Sequence, residues 1–184
     1  WSPTMVEPPG ALAGSSATER PKEPMSGQRT YAERLELAHR VTGPSVRQIM
    51  AALDLPPASR GLDLGCGIGR HTVWLAETVG AGGSVTGLDS NADNMAEADK
   101  VTREAGGDAT ITLVQGDLRD LPFPAASFDW VWCADTLWPG TVIDDPVQTI
   151  RNASRLLRPD GLLALVYWSG QTLLSGHPLL EARL

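Results

Sequence analysis

The chain has 184 residues, of which 42% are hydrophobic and 20% are charged, so it can bury one ordinary hydrophobic core but hardly two. Its formal net charge of -7 argues against nucleic-acid binding, because such binding requires clustered Lys and Arg to neutralise phosphates. An acidic balance instead favours solubility or a cationic ligand.

The two cysteines, Cys66 and Cys133, lack the spacing of a zinc site or of a disulfide framework, so we predict no metal. No segment approaches the roughly 20 consecutive apolar residues of a membrane span. The N-terminus also lacks the basic region and following apolar region of a secretion signal. The sequence therefore predicts a cytoplasmic protein without a membrane span.

Residues 1–27 are rich in Pro, Gly and Ser and show no hydrophobic periodicity, which predicts a flexible N-terminal tail. Apolar residues then recur at helical spacing before and after Gly43-Pro44. We predict two short amphipathic helices, separated at this break, in a helical cap that spans residues 28–56.

From residue 57 to residue 184, apolar runs alternate with helical stretches in what we predict to be the core domain. The predicted strands cover 60–65, 84–89, 110–115, 127–133 and 161–168, and the predicted helices cover 69–79, 91–105 and 144–157. Strands separated by helices indicate a parallel sheet, and near-continuous apolar strands fit a sheet covered on both faces. The predicted fold class is α/β: a Rossmann-like three-layer α/β/α sandwich around a mainly parallel, five-stranded sheet.

The first predicted strand leads into a glycine-rich turn, Asp63-Leu64-Gly65-Cys66-Gly67-Ile68-Gly69. In a doubly wound fold this turn lies at the carboxyl ends of the strands, where glycines let the backbone approach a ligand. Taken alone, the pattern is also consistent with a simple tight turn. Its spacing is G-x-G-x-G, whereas the dinucleotide pattern G-x-G-x-x-G would require its third glycine at Arg70.

Carboxylates also follow the second and third predicted strands. Asp89 ends the second strand, where it can accept hydrogen bonds from both hydroxyls of a ribose, or can simply stabilise the N-terminus of the next helix. Ser90 follows it, and Met95 lies one turn into that helix, where its side chain can flank a flat base. After the third strand, Asp117 can accept from an adenine amino group and the Leu118 amide can meet the ring. These positions indicate an adenosine ligand.

In their order and spacing, these segments resemble the class I S-adenosylmethionine-dependent methyltransferases, of the branch that includes the ubiquinone and menaquinone C-methyltransferases. The resemblance covers about residues 58–168. It rests on Leu62-Asp63-Leu64-Gly65-Cys66-Gly67-Ile68-Gly69-Arg70, Gly87-Leu88-Asp89-Ser90, Gly116-Asp117-Leu118, Leu121-Pro122-Phe123-Pro124, Ser127-Phe128-Asp129 and Leu157-Arg158-Pro159-Asp160-Gly161. Family members usually have two glycines before the fifth strand, and Asp160 replaces one of them.

The resemblance implies S-adenosyl-L-methionine as the cofactor and S-adenosyl-L-homocysteine as the product. It implies a cofactor site made of Asp63, Gly65, Cys66, Gly67, Gly69, Asp89, Ser90, Met95, Asp117, Leu118 and Cys133. In that site Asp63 orients the methionine ammonium, Asp89 binds the ribose, Asp117 with Leu118 reads adenine, and residues 133–135 close over the sulfonium. Carboxylates at these positions favour a cationic ligand, whereas they would repel the pyrophosphate of a dinucleotide.

The implied reaction is a direct displacement, in which a small, apolar or aromatic acceptor attacks the methyl group and the sulfur of S-adenosyl-L-homocysteine leaves. Alignment of the reacting atoms can lower such a barrier by roughly 7–11 kcal/mol, so no obligatory catalytic residue is expected. His71 is a candidate for a general base, against a capping or packing role. Trp138, Tyr167 and Trp168 are candidates for the acceptor wall, against a packing role. An NAD-type oxidoreductase and an inactive cofactor-binding module remain as alternatives.

The C-terminal end of the predicted core is short. Family members usually add an antiparallel pair of strands after the fifth, but only residues 169–184 remain here. Without a cover, the fifth strand is a long, apolar edge strand, which favours association. We therefore expect either a C-terminally truncated core or a homodimer that pairs through the exposed sheet edge.

Overall fold

The structure, a computed structural model, describes residues 29–137 and 145–167. The predicted N-terminal tail, the candidate acceptor residues Trp138 and Trp168, and the segment 169–184 lie outside these residues. In chain order the elements are α1 (Tyr31–Ala52), β1 (Arg60–Leu64), α2 (Arg70–Val79), β2 (Ser84–Asp89), α3 (Ala92–Ala105), β3 (Thr110–Gln115), β4 (Phe128–Ala134), α4 (Pro146–Arg155) and β5 (Leu157–Val166).

The five strands form one sheet in the order β3-β2-β1-β4-β5, and all four strand pairings are parallel. The strand order reverses at β1, so the chain runs outward to β3 on one side and to β5 on the other. In such sheets a crevice opens at the carboxyl ends of the strands at this point, and ligands bind there. The predicted Rossmann-like parallel sheet is confirmed.

Two hydrophobic clusters cover the two faces of the sheet, which gives the predicted three layers. One cluster joins Leu62 and Val131 to Ala153 of α4, and the other joins Trp132 to Met50 of α1 and to α2. Side chains alternate between faces along each strand, so neighbours in sequence enter different clusters. None of the described helices is long and apolar enough to cross a membrane.

The prediction of two short helices before the sheet was wrong, because α1 continues through Gly43-Pro44 as one helix of 22 residues. A proline inside a helix removes one backbone hydrogen bond and crowds the preceding turn. Here tertiary packing outweighs that penalty: Val46 and Met50, beyond the proline, are each only 1% exposed. Gly43 lies so close to Trp74 of α2 that a Cβ would be 3.0 Å from its ring.

Strand β5 begins at Leu157, four residues earlier than predicted, and pairs with β4 through a bulge between Phe128 and Trp130. Within this early part Asp160 has a φ of 64°, so the residue that replaces a family glycine adopts the left-handed conformation that glycine favours. Asp129, near the start of β4, connects that strand to both of its neighbours, because its carboxylate accepts from Arg60 N of β1 at 2.7 Å and from Arg158 Nη1 of β5 at 2.6 Å.

Candidate functional site

The glycine turn lies between β1 and α2, at the point where the strand order reverses. Gly65, Gly67 and Gly69 have φ values of +81°, +53° and +79°, which side chains other than glycine rarely tolerate. The amides of Gly65 and Cys66 both donate to Leu88 O, at 2.8 and 2.9 Å. The turn is therefore hydrogen-bonded to the carboxyl end of β2.

Two of these glycines are required by the protein's own packing. A Cβ on Gly65 would lie 2.3 Å from the Thr136 methyl group, and a Cβ on Gly69 would lie 3.1 Å from Ala98 Cβ on α3. Thr136 Oγ1 donates to Ala134 O at 2.8 Å and lies 3.4 Å from Gly65 O. The segment after β4 thus holds the turn from one side, in addition to any approach of a ligand.

Asp63 lies at the base of the turn, on the face of the sheet that α2 covers. It is only 2% exposed, and its carboxylate accepts from Thr72 Oγ1 at 2.6 Å. Burial raises the pKa of Asp63 to about 7, the Thr72 hydrogen bond opposes this rise, and the Asp89 charge adds to it. A cationic group next to Asp63 would favour its ionised form.

Asp89 connects the end of β2 to both the turn and α3. Its Oδ2 accepts from Gly67 N at 3.0 Å, and its Oδ1 accepts from Asn91 N at 2.9 Å and from Asn94 Nδ2 at 3.4 Å. The alternative role, at the start of the next helix, is thus present in the structure. The ionised carboxylate has about four acceptor positions and these contacts use three of them, so one position, on Oδ2, remains for a ribose hydroxyl. Ser90 is exposed and Met95 is half-buried on α3.

Asp117 follows β3, whose last residue, Gln115, pairs with Asp89. Its carboxylate accepts from Arg119 Nε at 2.9 Å and from Arg119 N at 2.8 Å. These hydrogen bonds lower the pKa of Asp117 to about 2. A contact with an adenine amino group would have to share this carboxylate with Arg119. The side chain of Leu118 is buried in the core beside Leu88.

Both predicted cysteines are buried thiols. Burial raises the pKa of Cys66 far above its usual range and that of Cys133 to about 12, and the nearby Asp63 charge adds to both shifts. Since the thiolate is the nucleophile, these groups are suited to packing rather than to covalent chemistry. Among the described residues, no group of three or more metal-binding side chains converges.

His71 lies in the first turn of α2, beneath α1. Its Nδ1 accepts from Trp132 Nε1 at 3.4 Å, and its ring is 4.9 Å from that of His39. Burial lowers the pKa of His71 to about 3, and the second imidazole adds to the shift. With Nδ1 as the acceptor, the proton of the neutral ring lies on Nε2. A role as a proton acceptor would require the contact with Trp132 to break.

On the β5 side of the sheet edge, Tyr167 is the one candidate acceptor residue that the described part of the chain includes. Its hydroxyl donates to Leu137 O at 3.4 Å, and 38% of the residue is exposed. Asp135, after β4, has a φ of 50° and donates its amide to Val166 O at 2.9 Å. The ends of β4 and β5 thus form one polar and aromatic border of the crevice.

The structure brings Asp63, Asp89 and the glycine turn together into one hydrogen-bonded unit. Three partners of this unit were not identified from the sequence, namely Thr72, Asn94 and Thr136. Each is a small polar side chain whose role depends on a partner from another element, and no local pattern marks it.

Comparison with known proteins connects this site to a family. Residues 62–165 match the sequence profile described as a methyltransferase domain. The chain belongs to this methyltransferase family. The predicted class, S-adenosylmethionine-dependent methyltransferase, is confirmed at the level of the domain, and S-adenosyl-L-methionine is the cofactor of the family. The alternative of an NAD-type oxidoreductase is not supported.

Two curated relatives are similar over most of the described core. Demethylmenaquinone methyltransferase of Staphylococcus epidermidis is 33% identical over 127 residues, which are 69% of this chain and 50% of the relative. Nocamycin O-methyltransferase of Saccharothrix syringae is 39% identical over 124 residues, which are 66% of this chain and 42% of the relative. The chain thus spans half or less of the length of these relatives.

Solved structures show the same fold. An S-adenosylmethionine-dependent methyltransferase from Aquifex aeolicus has a TM-score of 0.66 and 17% identity, over 78% of this chain and 77% of that one. The [4+2]-cyclase SpnF has a TM-score of 0.55 and 27% identity, over 66% of this chain and 43% of that one. At 17% identity the first of these supports the fold alone.

Proposed function

We propose that this chain is the cofactor-binding part of an enzyme that transfers a methyl group from S-adenosyl-L-methionine to a small, apolar or aromatic acceptor. The observation that carries the proposal is the unit formed by Asp63, the glycine turn and Asp89 at the reversal of the strand order. Membership of the methyltransferase family supports it. The acceptor class is supported by the relatives, which are named for demethylmenaquinone and nocamycin.

The residues present fit this cofactor. When bound, S-adenosyl-L-methionine supplies an activated methyl group on a sulfonium. Asp63 would hold the methionine ammonium, because its buried carboxyl group favours ionisation once a cation lies beside it. Asp89 would hold one ribose hydroxyl on the free acceptor position of Oδ2, and the second on Oδ1 once the long contact from Asn94 Nδ2 is released. Cys66, Gly67 and the rest of the turn would present backbone to the methionine moiety.

Catalysis in this proposal rests on orientation and on exclusion of water rather than on a triad. The turn and the segment after β4 would hold the cofactor in a fixed position, so that only the acceptor need be aligned with the methyl group. Closure of a dry crevice favours a step in which charge is dispersed. His71 remains a candidate general base, and unchanged turnover after His71→Gln would remove it.

Asp89 provides the direct test of the proposed cofactor site. We expect Asp89→Asn to weaken S-adenosylhomocysteine binding by at least roughly tenfold, because charge-assisted hydrogen bonds to a ribose contribute about 1.5–3 kcal/mol. Asp93→Asn is the matched control, since Asp93 is an exposed carboxylate in the first turn of α3, the helix that follows Asp89. Isothermal titration measures both affinities, with NAD as a competing ligand.

An Asp89→Asn variant that retains wild-type affinity would contradict the ribose assignment. Equal losses in Asp89→Asn and Asp93→Asn would show that the general charge of this helix end matters and that the specific contact does not.

A second candidate function is cofactor binding without methyl transfer. It is favoured by the similarity to SpnF, a protein that is named as a cyclase. Tight binding of S-adenosylhomocysteine, together with no methylation of any acceptor in a broad screen, would support this candidate over the first.

A further inference from the structure

Two ion pairs join α1 to α2 at different heights. Near the glycine turn, Arg70 Nε is 2.8 Å from Glu36 Oε2 and Arg70 Nη2 is 3.2 Å from Glu36 Oε1. Farther along both helices, Arg47 Nη1 is 2.7 Å from Glu77 Oε2. All four side chains are about one-third to one-half exposed, so neither pair is expected to contribute much to overall stability.

The two pairs differ in what they adjoin. Arg70 directly follows Gly69 and is the first residue of α2, so its position is coupled to that of the turn. On α1, the neighbour of Glu36 in sequence is Leu35, whose Cδ1 lies 3.5 Å from the position of a Cβ on Gly67. Glu77 lies about two turns farther along α2, away from the turn.

The glycine turn needs support from both sides. Three glycines within five residues lose more conformational freedom on ordering than other residues would. Hydrogen bonds to Leu88 and Asp89 hold the turn from the sheet side, and α1 adjoins it from the outer side. A cavity of about 540 Å³ between α1 and α3 is lined by Glu36 and Arg70 together with Ile68 and Val101. Packing is open there, so the placement of the N-terminal half of α1 depends more on the ion pair.

We propose that Glu36 and Arg70 are positioning residues for the cofactor: their bidentate ion pair holds α1 against the glycine turn and keeps the turn in its ligand-ready backbone conformation. A turn that is already ordered pays less conformational entropy on binding, which raises affinity without a new contact. The proposal rests on the cofactor site proposed above. The proposal predicts that this partly exposed ion pair contributes little to overall stability but still affects ligand affinity, because it lies beside the glycine turn.

Paired variants on the two ion pairs test this inference. We expect Glu36→Gln to weaken S-adenosylhomocysteine binding roughly three- to tenfold, since ordering a few groups changes affinity on that scale. Glu77→Gln should leave the affinity unchanged. The two Gln variants should change the thermal stability of the ligand-free chain by similar amounts. The double variant Glu36→Gln with Arg70→Gln should bind no more weakly than Arg70→Gln alone, because both changes break the ion pair between Glu36 and Arg70. Glu36 Oε1 also lies 3.8 Å from Arg40 Nε, but Arg40 is on α1 itself, so loss of that contact should not move α1 relative to the turn.

Hydrogen exchange provides a second measurement. If the ion pair only stabilised the fold, its loss would not selectively change the exchange rates of the amides in the turn. Amides of the turn, residues 65–70, should exchange faster in Glu36→Gln than in Glu77→Gln, and bound ligand should abolish the difference. Equal affinities of the two Gln variants, or equal exchange in the turn, would overturn the inference while leaving the cofactor site intact. Failure of the wild-type chain to bind the ligand would overturn both.

Discussion

Asp63 lies at the end of β1 with its carboxyl group buried beside Thr72 and held near neutrality by burial. A carboxyl group with a pKa of about 7 is only half ionised at neutral pH, so a ligand ammonium must draw out its proton to pair with it. Binding of the cofactor should therefore release a proton from this residue in the neutral range. If Asp63 holds the ammonium as proposed, its buried position should make the affinity for the cofactor depend on pH.

The first prediction at this scale concerns affinity against pH. For wild type, we expect S-adenosylhomocysteine affinity to rise roughly tenfold between pH 6 and pH 8, since the carboxyl group is mostly protonated at the lower pH. Asp63→Asn should bind more weakly at pH 8, with a flatter profile. Isothermal titration at several pH values measures both. An equally steep profile in the Asn variant would assign the dependence to another group.

The raised pKa of Asp63 has the opposite effect on the stability of the ligand-free chain: affinity is expected to rise with pH, whereas the free energy of unfolding is expected to fall. Because the folded-state pKa is raised from 3.8 to about 7, the folded chain binds more protons than the unfolded chain between these values. The free energy of unfolding contributed by Asp63 therefore falls as pH rises through that window. Asp63→Asn should remove this loss, so that the variant gains stability relative to wild type at pH 8 but not at pH 4.

At the scale of the elements, the start of β5 shows how backbone conformation and packing oppose each other. Asp160 has a φ of 64° in a conformation that favours glycine. Gly161, the next residue, has no room for a side chain, since a Cβ would lie 2.9 Å from Arg158 O and 3.0 Å from Asp129 O. Position 160 therefore tolerates a side chain at the cost of backbone strain, whereas position 161 excludes a side chain through steric contact.

This contrast gives a paired prediction. Asp160→Gly should stabilise the chain by roughly 0.5–1 kcal/mol, because relief of left-handed strain exceeds the added freedom of the unfolded state. Gly161→Ala should destabilise it by roughly 1–3 kcal/mol through the close contacts of the new methyl group. Chemical denaturation measures both, and a stabilising Gly161→Ala would contradict the packing argument.

Tight packing inside the elements also explains why glycine is required at positions outside the proposed ligand site. A Cβ on Gly61 of β1 would lie 2.0 Å from the ring of Trp130, whose Nε1 donates to Ser59 Oγ at 2.9 Å. The indole therefore crosses directly over β1. The same principle applies at Gly65, where Thr136 fills the space, so a glycine in a binding motif can serve packing and binding together.

At the scale of the molecule, β5 lies at one end of the sheet and pairs only with β4 among the described strands. Leu162 and Leu165 on it are 38% and 37% exposed. We predict that the chain associates through this edge, because an apolar edge strand pairs readily with another. Light scattering over a range of concentrations should then show a mass above that of the monomer at high concentration.

A charge on the edge tests this association. Leu165→Lys should restore the monomer, since charged side chains oppose pairing of edge strands. Val147→Lys, on the exposed face of α4 at 55% exposure, is the matched control and should leave association unchanged. A wild-type chain that stays monomeric at every concentration would contradict the edge prediction.

The local part of the architecture followed from the sequence. Alternation of apolar runs with helical stretches predicted five strands and a parallel sheet, because burial on two faces requires continuous apolar strands. The acidic residues at strand ends, Asp63, Asp89 and Asp117, predicted where a cationic adenosyl ligand would lie, since parallel strands bring their carboxyl ends to one edge. The glycine spacing separated this turn from a dinucleotide turn.

Only the tertiary structure decided what depends on distant residues meeting. It showed that α1 runs through Pro44, that Thr72 neutralises part of the burial penalty of Asp63, and that Thr136 occupies the space beside Gly65. The physical reason is that local preference acts within a few residues, whereas these outcomes depend on strand order and on which side chains the packed layers bring into contact. Sequence determined the elements and the motif, and packing determined their partners.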